Sequence, residues 1–196
     1  MKKGTITLIV VAAVLLGGFL WVKNVYNQIV VSDEYVQAMW AQVENVYQRR
    51  ADLIPNLVAT VKGYAEHEQQ TLEGVVSARS KATQITVDPE NLTSEQLAKY
   101  QAAQGELGAA LGKLLAITEN YPNLKANENF LSLQSQLEGT ENRIAVERNK
   151  YNEAARNYNT TIRQFPKNIV AGMFGFEKKP YFEAAEGAQE APKVEF

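Results

Sequence analysis

Three hydrophobic patterns succeed one another along the chain. From Ile6 to Val22 (ITLIVVAAVLLGGFLWV) apolar and small residues follow each other without a single charge. About 17 residues at 1.5 Å rise cover roughly 25 Å, close to the hydrocarbon core of a bilayer, and Thr5 and Lys23 extend the reach. Beyond it the chain changes to amphipathic helix patterning. Ser32-Asp33-Glu34 predicts a helix start, a hydroxyl cap followed by acids at the positive end of the dipole. The stripe then runs through Val36, Trp40, Val43, Tyr47, Arg50, Ile54, Leu57, Val61 and Tyr64 in steps of four and three. It keeps phase through Pro55, although proline removes one backbone hydrogen bond and usually kinks or breaks a helix. One long kinked helix, or two coaxial ones with Asp52 capping the second, is expected to about Gln84.

Thr86 to Asn91 (TVDPEN) reads as a turn, after which Thr93 or Ser94 restarts a helix. Its stripe is Leu97, Tyr100, Gln104, Leu107, Leu111, Leu114 and Thr118, ending at Tyr121-Pro122-Asn123. Gly105, Gly108 and Gly112 each cost about 1 kcal/mol against alanine in a helix interior. Beside Ala102, Ala103, Ala109 and Ala110 they are expected to admit a neighbouring helix closely. The last long pattern is a strict seven-residue repeat of Phe130, Leu137, Ile144, Tyr151, Tyr158 and Phe165, the seam of a long bundle helix. Its companion positions are partly polar, which favours packing inside the chain's own domain over a dimeric zipper. No alternating strand pattern or hairpin turn pair occurs, so the expected fold is all-α: a transmembrane helix followed by a bundle of long antiparallel helices.

The segments follow from these patterns: 1–4 a short N-terminal segment, 5–23 an anchor, 24–31 a juxtamembrane connector, 32–166 a helical bundle, and 167–196 a C-terminal apolar segment and tail. A cleaved signal peptide is the rival reading of the span, since Lys2 and Lys3 precede it. The apolar stretch is longer than a usual signal core and ends in Phe19, Leu20 and Trp21 without a small-x-small site, so the anchor is expected to stay. Lys2 and Lys3 before the span against Lys23 after it keep the N-terminus in the cytoplasm and export the bundle.

Charge and composition narrow the function. Setting Lys2 and Lys3 aside leaves 18 basic against 22 acidic residues, with no basic patch for nucleic acid. The absence of cysteine excludes disulfides, thiol catalysis, thiolate metal sites and a lipoprotein anchor. The one histidine, His67, lies in Glu66-His67-Glu68 with Thr71 where a metalloprotease helix needs a second histidine, and one histidine cannot build a di-iron bundle. No catalytic constellation, metal site or cofactor is therefore expected. Arg50 sits on an apolar stripe and must meet a carboxylate from another helix, Glu141 or Glu147. With Asp52, Asn142 and Arg143, these residues are read as polar groups that specify the bundle. Ile169, Met173, Phe174, Phe176, Tyr181 and Phe182 are too apolar for a free tail. They are expected either to hold a homo-oligomer or to fold back over one end of the bundle.

Long motifs carry a family resemblance. Tyr47-x-Arg49-Arg50-x-Asp52-Leu53-Ile54-Pro55-Asn56-Leu57-Val58, Val61-Lys62-Gly63-Tyr64-Ala65-x-His67-Glu68 and Gln136-Leu137-Glu138-Gly139-Thr140-Glu141-Asn142-Arg143-Ile144-Ala145 resemble the LemA family. So do Tyr121-Pro122-x-Leu124-Lys125-Ala126, Tyr151-Asn152, Tyr158-Asn159, Phe165-Pro166 and Pro180-Tyr181-Phe182-Glu183. The resemblance implies a bacterial membrane protein with one N-terminal span and a helical bundle, without an established activity. It also implies envelope membrane proteins such as proteases as partners, and for some members a cytoplasmic bundle. Together with the patterning it gives a structural or adaptor protein of the inner membrane, whose partners are the bilayer, further copies and envelope proteins. The alternative is a binding module for a lipid or peptidoglycan fragment in an inter-helix cleft.

Overall fold

The computed structural model describes residues 3–65 and 67–183; the sequence-predicted soluble end, 184–196, lies outside them. Six helices form: α1 (Lys3–Lys62), α2 (Gln69–Gln84), α3 (Ser94–Thr118), the single turn α4 (Pro122–Lys125), α5 (Glu128–Arg163) and α6 (Lys167–Phe174). No strand occurs among the described residues. α1, α2, α3 and α5 run up, down, up and down as an antiparallel bundle.

α1 is the axis. Its 60 residues reach roughly 90 Å. The N-terminal part is exposed on every face, with a mean hydropathy of 2.5, long and apolar enough to cross a membrane. Burial begins at Val25 and Ile29, before the expected helix start. Ser32 does not cap: its hydroxyl donates back to the Gln28 carbonyl at 3.0 Å, and the helix runs through. The segment 24–31, expected as a connector, is helical and continuous with the apolar part and the bundle, and its Val25 and Ile29 extend the buried stripe.

Pro55 lies inside α1 without ending it, as the unbroken phase of the stripe requires. The hydrogen bond it cannot make would have gone to the Ala51 carbonyl. Arg79 Nε of α2 donates to that carbonyl instead, at 2.7 Å, so the missing bond becomes a contact between helices. The helix does stop well before the expected Gln84. Tyr64 N–H and Ala65 N–H both bond the Val61 carbonyl, α1 ends at Lys62, and α2 returns along it from Gln69. The reason is a second stripe of its own: Ala65, Leu72, Val75, Ala78 and Ala82 pack on Ile54, Leu57 and Val61.

The third helix starts where expected. Thr93 Oγ1 accepts from Gln96 N–H at 3.2 Å while Gln96 Oε1 accepts from Thr93 N–H at 3.0 Å, a reciprocal capping box. All seven positions of its stripe are buried. The glycines beside it do not do what the pattern suggested. A Cβ on Gly105 or Gly112 meets nothing within 4 Å; only Gly108 is close, 3.9 Å from Arg50 Nη1. The seam of α5 is buried from Phe130 to Tyr158, but Phe165 is 82% exposed because α5 ends at Arg163 and the repeat outlasts its helix.

Two apolar clusters result. One joins Ile54, Leu57 and Val61 to α2, the second half of α3, α4 and the start of α5. The other gathers Val25 to Tyr47 of α1 with Tyr100, Tyr151, Tyr158, Val170 and Phe182. Trp40 is its centre: Tyr151 meets it edge-on at 5.5 Å and Phe182 stacks on it at 5.8 Å. Tyr151→Ala removes one wall of this cluster and is expected to cost about 3–5 kcal/mol. Urea unfolding of the detergent-solubilised chain measures it, and an unchanged midpoint would show that the ring contributes nothing to packing.

Candidate functional site

Arg50 is 3% exposed and stands between the two apolar clusters. A buried guanidinium must have its charge and its N–H groups matched. Nη1 donates to Glu141 Oε1 of α5 at 2.6 Å, and Nη2 donates to both oxygens of Gln104 on α3, Oε1 at 2.6 Å and the backbone carbonyl at 3.0 Å. The cation also lies over the Tyr47 ring, 5.1 Å from its centroid. One side chain of α1 thus holds α3 and α5. Of the two acids the sequence offered, Glu141 takes Arg50. Glu147 is buried and pairs within α5, with Arg143 at 3.2 Å and Lys150 at 3.1 Å. Arg143 is itself exposed, as are Asn142 and Asp52. Asp52 accepts only from Gln48 of its own helix, at 2.7 Å. Gly139 has open space around it.

Beside Arg50 a cavity of about 390 Å³ opens between α1, α3 and the turn after α2, lined by Glu44, Tyr47, Tyr100 and Gln104 among others. Burial pushes the Tyr47 and Tyr100 phenols up from their ordinary value against the pull of Arg50, so both stay neutral hydroxyls. Burial raises the Glu44 carboxyl as well. No histidine lines the cavity. His67 is exposed in the turn before α2, and no cluster of three metal-ligating side chains occurs among the described residues.

The second polar construction holds the C-terminal segment. After α6, Gly175 at φ 74° turns the chain, and residues to Glu183 run extended over the bundle. Two asparagines of α5 grip this strap. Asn159 accepts from the Lys179 N–H at 2.9 Å and donates to its carbonyl at 2.8 Å; Asn152 does the same to Phe182, at 2.8 and 2.9 Å. The spacing explains the fit. Seven residues of helix and three of extended chain both advance about 10 Å, so each amide meets a whole backbone unit. Lys179 is buried, its ammonium 3.0 Å from Asp33 and donating to the Glu90 carbonyl at 2.9 Å, which ties the strap to α1 and to the turn before α3. Phe182 is buried against Trp40, and Arg148 covers it at 4.8 Å. Of the apolar residues expected to act together here, Phe182 and part of Phe176 cover the chain's own bundle, while Ile169, Met173, Phe174 and Tyr181 stay exposed.

Three contributors escaped the sequence reading. Gln104 gave a signal, as a polar residue on an apolar stripe. Arg79 and Lys179 gave none, since one answers a carbonyl freed by Pro55 and the other enters only where the strap passes Asp33.

These features define a class: a membrane-associated all-α bundle built on one long helix with an apolar N-terminal part. Residues 39–196 match the LemA family, and the chain belongs to it. It is 30% identical to magnetosome protein MamQ 2 of Paramagnetospirillum magneticum over 81% of this chain and 64% of that protein. With magnetosome protein MamQ of Magnetospirillum gryphiswaldense the identity is 29%, over 80% of this chain and 64% of the relative. Protein LemA of Metamycoplasma hominis is 26% identical over 82% of this chain and 69% of the relative. The chain therefore spans less than two thirds of the length of the magnetosome relatives it matches.

Two substitutions test the polar constructions. Glu141 is half exposed while Arg50 is not, so Glu141→Ala strands a buried cation and is expected to cost about 3 kcal/mol. Adding Arg50→Met should recover at least half of that in urea unfolding; a double variant less stable than Glu141→Ala would refute the asymmetry. Asn159→Ala leaves both buried polar groups of Lys179 unmatched, about 2 kcal/mol, and amides 176–183 are expected to exchange roughly thirtyfold faster. Unchanged exchange there would show that the strap is held by Phe182 alone.

Proposed function

We propose that this chain is a single-pass structural or adaptor protein of the bacterial inner membrane, with its N-terminus in the cytoplasm, its bundle exported, and no catalytic activity. The observation that carries the reading is the continuity of α1 from the apolar span to the far end of the bundle. A helix without an intervening linker holds whatever the tip binds at a fixed height. From Val22 to Val58 that height is roughly 55 Å.

At the tip, α1 and α2 leave a groove of about 780 Å³ lined by Val58, Leu72 and Val76 with Lys62 and Glu73 at its rim. An apolar floor with charges of both signs at the edge suits an amphipathic helix of an envelope membrane protein. The rival reading, a lipid or peptidoglycan fragment in an inter-helix cleft, draws less support. The amides of Asn152 and Asn159 that would line such a cleft are occupied by the strap.

Two measurements on the full chain test the proposal. Ser135→Cys, exposed on α5 and outside the groove, is expected to react with an impermeant maleimide on intact spheroplasts; reaction only after lysis would place the bundle in the cytoplasm. Val76 is half exposed, so Val76→Glu spares the core. In mild detergent the wild-type chain is expected to run in an assembly heavier than the free chain, and Val76→Glu to release it at unchanged melting temperature. A wild-type chain that runs alone would remove the adaptor role.

A further inference from the structure

The side of α6 turned away from the bundle is apolar. Val170 and Ala171 are buried against α1 and α5, while Phe165, Ile169 and Met173, four residues apart, are 82%, 52% and 71% exposed. Ile169 and Met173 on the outward face of α6, with exposed Phe165 just before the helix, form a patch that water does not favour. Its height on the molecule identifies what covers it. Arg50 meets Glu141 and Trp40 meets Tyr151, so each step down α1 is an equal step up α5. The same register brings Phe165, just past the end of α5, level with Tyr26 of α1. The rings of Phe174 and Phe176 pack on Tyr26 at 4.8 and 5.6 Å, which fixes α6 at that height. Tyr26 lies only one helical turn, about 6 Å, beyond Val22, the last residue of the uncharged span.

We propose that α6, with Phe165 before it, is a second membrane contact. It lies in the headgroup and acyl boundary of the bilayer that α1 crosses, with Phe165, Ile169 and Met173 inserted. The inference rests on the reading of α1 as a membrane span. The thickness agrees: the polar layer on each side of the hydrocarbon core is about 5–8 Å deep, and interfacial helices bury their apolar face to about 5–10 Å. The flanks agree too, since Lys23 follows the span and Lys167 opens α6, cations at the level of the lipid headgroups. A lone span leaves a bundle free to tilt and to turn about the span's axis, and interfacial anchors are what remove that freedom. Contact through α6, off the axis of α1, fixes which side of the bundle faces along the membrane and therefore where the α1–α2 groove points.

The chain has no cysteine, so single sites take a nitroxide label in the full-length protein. Phe165→Cys, Met173→Cys, Phe19→Cys in the span and Ser77→Cys at the tip are reconstituted in phosphatidylethanolamine–phosphatidylglycerol vesicles. Accessibility to oxygen and to a neutral nickel chelate is then read by power saturation. The expected result is an oxygen-to-chelate ratio at Phe165 and Met173 several-fold above that at Ser77 and on the side of the Phe19 value. A lipid-like Phe19 with water-like ratios at both α6 sites overturns the second contact and leaves the span intact. Labels at α6 that are immobile and shielded from both reagents also overturn it, because a second copy or another protein then covers the face. A water-like Phe19 removes the span itself, and the proposal with it.

Discussion

A buried cation sets the terms of this fold. Arg50 lies about three turns before the C-terminal end of α1, with Tyr47, Ala51, Ile54 and Leu57 as its buried neighbours. Any sliding of α3 or α5 along α1 would strand a guanidinium in apolar surroundings, at a cost of several kcal/mol. Apolar side chains tolerate a shift of register far better, because dispersion and burial have little direction. Bidentate contact with Gln104 and the ion pair with Glu141 therefore choose one register among several that the stripes alone would accept. The cluster of Trp40, Tyr151 and Phe182 below it and the aliphatic cluster above it are packed in that chosen register.

The backbone carries the same logic. Pro55 denies Ala51 its intrahelical partner, and the vacancy is answered by Arg79 at 2.7 Å. A defect in one helix becomes the point at which the next one attaches, and α1 survives as a single element. The Asn152 and Asn159 clasps extend this to chain with no regular partner of its own. An extended strap on a bundle surface exposes unpaired N–H and C=O groups, which is unfavourable wherever side chains exclude water. Side-chain amides supply one donor and one acceptor each, at a helical spacing that matches the strap. Phe182 is thereby delivered to Trp40, and the lower core is closed.

Because α1 is continuous, its apolar N-terminal part and the end of the bundle at Val61 belong to one helix. No flexible joint separates the apolar part from Val25 and Ile29, whose burial begins within a turn of Val22. The buried polar groups Arg50, Lys179 and Asn159, with Asn152, hold helices and strap together.

The sequence by itself determined the all-α class, the uncharged segment, the buried stripes of α1, α3 and α5 and the need for an acid opposite Arg50. These follow from period and composition, and a helix of strict phase such as Phe130 to Tyr158 has few other ways to bury its seam. It also placed Pro55 inside a continuous helix, since the stripe kept step across it. Tertiary structure alone decided the rest. Ser32 has the chemistry of a cap, yet Val25 and Ile29 find partners on α5 and α6, so the helix starts far earlier. Nothing local marks Gly63 to Glu68 as a reversal; the stripe of α2 becomes a reason to turn only once α1 offers its upper face. Gly105 and Gly112 share the pattern of Gly108, but only one of the three lies under an incoming side chain. Phe165 keeps the heptad while its helix has ended, and Lys179 finds Asp33 from the far end of the chain. Periodicity reports which faces want burial. Which surface meets them depends on contacts between residues far apart in sequence, and no local pattern records those.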